Sequence, residues 1–460
     1  MKKKTLISIS KKTFIQVTSL LVSLLVFSII LTYIVPKGTF GTMSDGNTDY
    51  LSYIPRSDVK GINLVRGIFA PVLVFLSSDG LTLIMLSLFL FVISASFQVM
   101  NDAGGIRAIV ESVSGRFRHR RKALLVIISF LFYCFGAFLG LFEEMLTMLP
   151  IVVALCISVG FDSFTGFICS ILACGFGFAG AITNPFTVLL ASEIIGVNPL
   201  VNIWFRILIF IVMFGLLMLF LFKYTKTIAK DVETDGQIEQ EDNPADSRKL
   251  RRIYSVFLLA ALAMIVVVSL ISSVRSYAVV ILTAYFLIFG LVAGILATGS
   301  VRSAFSSFAR GIGGALPTIV FIAFAASIKF VFEEGAIMPT VVHQINNLVQ
   351  GKSPVTVALA IYLIVLLLEF FISSSTAKAI LVMGILAMAN TGLSKEMLVL
   401  LYTFGDGYTN VIFPTSPVLL ISLSMIEMDY FKWIKKGAPL FAANLLLVVA
   451  FIVLGVLIGY

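Results

Sequence analysis

Charge is what this sequence has least of. Only 12% of its 460 residues are Asp, Glu, Lys or Arg, roughly half the share of a soluble globular domain. With 59% hydrophobic residues and a mean hydropathy of +1.06, a water-soluble fold is excluded, and a polytopic helical membrane protein fits. The short alternating strands of an outer-membrane barrel are missing too; the apolar runs reach about 20 residues, enough to cross a bilayer as helices. Histidine is nearly absent: His119 lies in a basic loop and His343 in a polar stretch, which argues against a histidine-based metal centre. Cys134, Cys156, Cys169 and Cys174 lie in apolar segments without CxxC spacing and read as small core residues. There is no Walker loop, no GxSxG and no HExxH. An enzyme is therefore not expected, and any transport has to draw on a gradient or on exchange rather than on nucleotide hydrolysis.

What charge there is has a pattern. The net charge of +9 could suggest nucleic acid, but its placement points to a membrane instead. Of 33 Lys and Arg, 23 fall in alternate loops (1–13, 101–122, 223–252, 299–311 and 426–438), seven in the opposite loops and three within spans. That asymmetry is the positive-inside rule, and it predicts a multi-pass plasma-membrane protein with a cytoplasmic N-terminus and an extracytoplasmic C-terminus. The run 14–35 is too long for a signal peptide and lacks a small-residue cleavage site, so it is expected to be a retained first span.

Four interruptions stand inside the apolar runs. Gly175-Phe176-Gly177-Phe178 is followed by Thr183-Asn184-Pro185, and Gly405-Asp406-Gly407-Tyr408 by Pro414-Thr415-Ser416-Pro417. Ahead of each lies another, at Leu141-Phe142-Glu143-Glu144 and at Ser373-Ser374-Ser375-Thr376. Broken backbone at membrane depth survives only where protein or a watery cavity satisfies its amides and carbonyls. Corresponding breaks in two halves mark the binding site of a secondary transporter.

The predicted architecture is all-α: an inverted repeat with two re-entrant hairpins and two discontinuous transmembrane helices. The first repeat covers 1–222, with spans at 14–35, 82–100 and 201–222, an amphipathic inner-surface helix at 103–122, a hairpin at 123–159 and a broken helix at 167–195. A charged cytoplasmic linker (223–252) and a connecting span (253–272) lead to the inverted repeat, 273–460. That half holds spans at 277–298, 312–331 and 440–459, an outer segment at 333–352, a hairpin at 356–391 and a broken helix at 397–425. Nine crossings result.

The candidate site residues sit at the interruptions. Glu143 and Glu144 form an adjacent carboxylate pair at the first tip, where a charge at the bilayer centre costs about 2.5–3.5 kcal/mol or more. They read as a proton or cation site, as the partner of a cationic substrate group, or as an ion pair holding the tip. Asp406 is a second buried acid, flanked by glycines that permit close approach of a ligand. Glu369 and Lys378 bracket the second tip; the lysine can pair with an acid or hold a substrate carboxylate. Ser373, Ser374, Ser375 and Thr376 offer hydroxyls and amides at a helix N-terminus. Thr183, Asn184, Thr415 and Ser416 sit at proline breaks, where freed carbonyls and side-chain oxygens suit Na⁺. Ion-coupling candidates are Glu143, Glu144, Asn184, Glu369, Asp406 and Thr415. No cofactor is expected beyond a coupling Na⁺ or H⁺, and no metal site.

The stretches Gly140–Pro150, Gly175–Phe186 and Phe404–Ser416 resemble the YfcC branch of the C4-dicarboxylate anaerobic carrier (DcuC-like) family, and the likeness covers nearly the whole chain. Asn410, in the last stretch, joins the candidate substrate-facing residues. The resemblance implies a bacterial inner-membrane permease of the ion-transporter superfamily, a homodimer in which a scaffold carries a mobile, hairpin-bearing transport domain. Such relatives are described as dicarboxylate carriers or as basic amino acid antiporters. This chain departs from the family's Pro-Ser-Gly-Ser-Gly second tip, and Glu369 stands where a neutral residue is usual. The candidate acids outnumber the one candidate base, Lys378, which favours a basic or other amino acid. A C4-dicarboxylate coupled to Na⁺ or H⁺ is the alternative, and a channel the remote one.

Overall fold

The structure, a computed structural model, describes residues 11–42, 48–56, 58, 61–77, 80–117, 120–228, 244–271, 274, 277–337, 339–340, 343, 352–372, 375–388 and 391–460. It is helical throughout, apart from a two-stranded antiparallel ribbon, β1 (Gly38–Thr42) with β2 (Thr48–Pro55). Among the described residues eight helices are long and apolar enough to cross a membrane. Six correspond to expected spans. The other two, Arg121–Leu139 and Pro354–Phe371, are the first arms of the expected hairpins. The two broken segments and the connecting segment 253–272 are not among the eight.

One layer is built from α1 (Lys11–Ile34), α2 (Gly80–Asp102), α3 (Gly105–Phe117), α9 (Pro244–Leu270), α10 (Ala278–Thr298) and α11 (Val301–Glu334). Here small residues let the backbones cross closely, the usual means of helix association where lipid supplies no hydrophobic drive. A Cβ on Gly311 would lie 2.4 Å from Ala95 Cα. At the same crossings Ser94 Oγ donates to Gly311 O (2.8 Å) and Ser96 Oγ to Phe286 O (2.7 Å). The expected loop at 299–311 is instead the opening of α11, a single helix of 34 residues. Ser300 caps it by accepting from Ser303 N, and Arg310 pairs with Asp102 at 2.6 Å. A basic helical stretch reads as a loop when hydropathy is the only guide.

The second layer holds the interrupted segments. The first hairpin has arms α4 (Arg121–Leu139) and α5 (Leu149–Ser158), joined by Gly140–Glu143 and a 3₁₀ turn at Glu144–Thr147. The first broken segment is α6 (Ser163–Ala179) and α7 (Pro185–Ile195). Then comes α8 (Ile203–Ile228). Helical order reaches Ile228 and resumes at Pro244, both inside the expected linker 223–252, whose centre lies outside the described residues. The second hairpin is α12 (Pro354–Phe371) and α13 (Ser375–Met388). The second broken segment is α14 (Lys395–Asp406), a 3₁₀ turn at Tyr408–Val411, and α15 (Pro417–Met425). α16 (Tyr430–Leu457) closes the chain.

Glycine decides how the interrupted segments touch. A Cβ on Gly136 of α4 would fall 2.1 Å from Cys174 O of α6, and one on Gly177 of α6 would fall 2.2 Å from Tyr133 O of α4. In the other half Gly405 presses on Val365 of α12 in the same way. The two breaks meet: a Cβ on Gly407 would lie 2.4 Å from Ala179 Cα and 2.5 Å from its nitrogen. The limb that follows each break then packs on the other half's hairpin, α7 on α13 and α15 on the Glu144–Thr147 turn.

Gly407→Ala is expected to force the two breaks apart and to cost about 1–3 kcal/mol. Thermal melting in detergent checks this, with Gly215→Ala as control, since nothing lies within 4 Å of the Cβ added there. Equal melting points for Gly407→Ala and the parent chain would refute this packing.

Candidate functional site

Three segments meet around Lys378. Its side chain has no exposure, on the first turn of α13. Its ammonium lies 2.7 Å from Asp406 Oδ1 and is paired with the Glu369 carboxylate. It also donates to Ile372 O at 3.4 Å, where α12 ends. Glu369 is 2% exposed and Asp406 0%. Ser375 Oγ donates to the other oxygen of Asp406 at 2.9 Å, and Tyr402 OH donates to Ser375 O. Two hairpin arms and one broken helix thus converge on one buried ammonium, in a cluster of two carboxylates and one base. Such a charge persists out of water only when paired, since breaking a buried pair leaves a charge whose desolvation costs several kcal/mol.

The break after Asp406 is held by its own side chains. Asn410 Nδ2 donates to Asp406 O at 2.8 Å, and Thr409 Oγ1 donates to Gly405 O at 2.9 Å. Ser416 caps α15, accepting from Leu419 N at 3.5 Å. Thr415 is buried, and its hydroxyl has no partner among the described residues.

The first break follows the same plan with different chemistry. Asn184 is fully buried; its Oδ1 accepts from Phe186 N (2.9 Å) and Thr187 N (3.3 Å), while Nδ2 donates to Gly136 O at 3.0 Å. Its oxygen is therefore spent on capping α7 and its amide on tying α7 to the first hairpin, an arrangement unlike the cation ligand expected. Thr183 Oγ1 reaches Phe138 O at 3.4 Å. Gly140, with φ +66°, is the αL residue that turns the chain out of α4, and a side chain there would strike Asn184 Oδ1 at 2.6 Å. Thr187, one turn into α7, is buried with an unpartnered hydroxyl among the described residues.

Glu143 and Glu144 divide as their adjacency predicts. Glu144 is 7% exposed, and its Oε2 has no hydrogen-bond partner among the described residues. Glu143, by contrast, is exposed. Among the described residues neither forms an ion pair with the Lys378 cluster. Ser373, Ser374 and the side chain of Thr376 lie outside the described residues, as does His119.

Two participants were not singled out from the sequence. Tyr402 stands one helical turn before Asp406, on the same face of α14, and that spacing was the available signal. Arg206 is a second buried base, 3% exposed, donating to Ala181 O at 3.4 Å beside the first break. No carboxylate lies within ion-pair distance of it among the described residues. A lone arginine in an apolar span was visible in the sequence, so Lys378 is not the only base to weigh against the acids.

Paired broken helices, hairpin tips and a buried charge cluster define a membrane transporter. The chain belongs to the C4-dicarboxylate anaerobic carrier family, whose model matches residues 14–457. It is similar to Escherichia coli (strain K12) YfcC, provisionally named a basic amino acid antiporter, at 26% identity over 401 residues, 82% of this chain and 79% of that one. An uncharacterized Haemophilus influenzae protein is 23% identical over 376 residues, 78% of this chain and 73% of that one. The solved Alcanivorax borkumensis YdaH transporter covers 96% of this chain and 99% of its own at 16% identity, with a TM-score of 0.46, a likeness too low to define the fold.

Asn184→Ala should destabilise the protein by about 1–2 kcal/mol through loss of the α7 cap. Asn184→Ser, which keeps a capping oxygen, should recover part of it. Melting of the three forms in detergent checks this, and equal loss in both variants would remove the capping role.

Proposed function

We propose that the chain is a secondary active transporter of a basic or other amino acid, working as an antiporter or ion-coupled symporter. The observation that carries this reading is the cluster at the second tip, where two buried carboxylates, Glu369 and Asp406, face the single ammonium of Lys378. A site with one more carboxylate than base attracts a cationic group and repels an anionic one. Glu144, buried with an unpartnered oxygen, places a third carboxyl group near the second break's outgoing limb. The name carried by YfcC supports the same class of substrate. Substrate contacts are assigned to Glu143, Glu144, Thr183, Ser373, Ser374, Ser375, Thr376, Lys378, Asp406, Asn410, Thr415 and Ser416, with Asn184 positioning α7 beside them.

A C4-dicarboxylate carrier coupled to Na⁺ or H⁺ is the second reading. The family's description favours it, and so does Arg206, a buried guanidinium placed to receive a carboxylate. In either reading the hairpins are re-entrant and carry the substrate between the two membrane faces. The working form is a homodimer in the plasma membrane, with a cytoplasmic N-terminus and an extracytoplasmic C-terminus. A channel is the remote alternative, and it conducts without saturation or stimulation from the opposite side.

In proteoliposome counterflow, arginine or ornithine should exchange with saturable, trans-stimulated kinetics, and succinate should fail to compete. Exchange confined to succinate would reverse the choice of substrate. Glu144→Gln should lower exchange by about tenfold or more with folding near that of the parent, and Asp406→Asn should lower it as far, per folded molecule, at some cost in stability. Full exchange by both variants would remove these carboxylates from the site.

A further inference from the structure

The cluster around Lys378 does not balance by itself. With both carboxylates ionised and the amine protonated it carries one surplus negative charge, at 0–2% exposure. Among the described residues the surrounding elements bring no second base to it. Among the described residues α7 contributes Glu193, which is exposed, and α16 contributes Lys432, Lys435 and Lys436 at its opening turns. α14 opens with Lys395 and Glu396, about three turns before Asp406. α11 carries Lys329, which pairs with its own Glu333 at 3.3 Å. Tyr402 donates to Ser375 O, and Tyr362 and Tyr408 share a hydrogen bond of 3.0 Å between their hydroxyls. An unbalanced charge so placed is strongly destabilising.

We infer that Glu369 and Asp406 share one proton in the empty site, and that a cationic substrate binds in exchange for it. Resting on the amino acid reading above, this assigns the coupling ion. The step balances. With the proton on the pair, the cluster is neutral: one carboxylic acid, one carboxylate and one ammonium. When the substrate's ammonium or guanidinium enters, the proton leaves to water, and two carboxylates face two cations, again neutral. One proton moves out for each cation in, and the exchange is electroneutral.

Glu369 is the group that takes the proton. Asp406 receives two donors, the Lys378 ammonium on one oxygen and the Ser375 hydroxyl on the other; Glu369 pairs with Lys378 alone. A carboxylate with more donors holds its charge, and its poorer neighbour takes the proton when two share a site. The same contacts leave little for Na⁺, which needs several free oxygens in one shell. Asp406 has both oxygens engaged, and Lys378 already occupies the space between the carboxylates.

The test uses the full chain in proteoliposomes containing a trapped pH-indicator dye, in Na⁺-free buffer with the membrane potential clamped. An imposed arginine gradient should move about one proton against each arginine. Glu369→Gln should abolish the pH change and Glu369→Asp should restore it. Net arginine movement down the imposed gradient without a pH change, or movement that needs Na⁺, overturns the proton assignment and leaves the substrate reading intact. Exchange confined to succinate removes both. Should Glu369→Gln fail to fold, the proton count of the parent protein still decides.

Discussion

An ammonium with no access to water has to be matched by carboxylates, and that requirement organises the transport layer. Lys378 projects from the second hairpin, Glu369 from its opposite arm, and Asp406 from the broken helix that packs on both. Pairing the lysine pins the tip of the hairpin to the break. The break in turn is pressed against its counterpart in the first half, where Gly407 meets Ala179. Remove the charge match, and among the described residues the Ser375–Asp406 and Tyr402–Ser375 hydrogen bonds are the polar contacts left between the hairpin tip and the break.

The halves repeat one geometry while differing in chemistry. Each break is followed by a residue that caps the next limb and then by proline: Asn184-Pro185 in one half and Ser416-Pro417 in the other. Each limb ahead of a break packs through glycine on the first arm of its own hairpin. The first tip, however, holds two acids and no base, and the second holds hydroxyls and a lysine. A symmetric scaffold thus carries asymmetric charges, and the proposed exchange of proton for cation falls in one half, at Glu369 and Asp406.

Much of this was legible in the sequence because glycine, proline and asparagine weaken a helix, and inside an apolar run they mark where it breaks. The hairpins, the breaks and the amphipathic helix at Gly105–Phe117 all follow from interruptions and period. Less legible were features decided by tertiary contact. The strand ribbon at Gly38–Pro55 comes from a polar loop with no strong alternation. The opening of α11 is polar enough to resemble a loop until Asp102 supplies Arg310 with a partner. Asn184 has the composition of an ion ligand, but its neighbours' amides claim its oxygen. Lys378 could have paired with any of several acids, and only the crossing of α12 and α14 selects Glu369 and Asp406.

The central claim is that Lys378 and Asp406 are energetically one unit across the hairpin and the broken helix. A double-mutant cycle measures that directly: unfolding stability in detergent of Lys378→Met, Asp406→Asn and the double variant. The account predicts strong non-additivity, with a coupling energy of about 1–3 kcal/mol and a double variant more stable than the Lys378→Met single. Additive losses would contradict it, because two side chains that do not share their charge would each be lost independently.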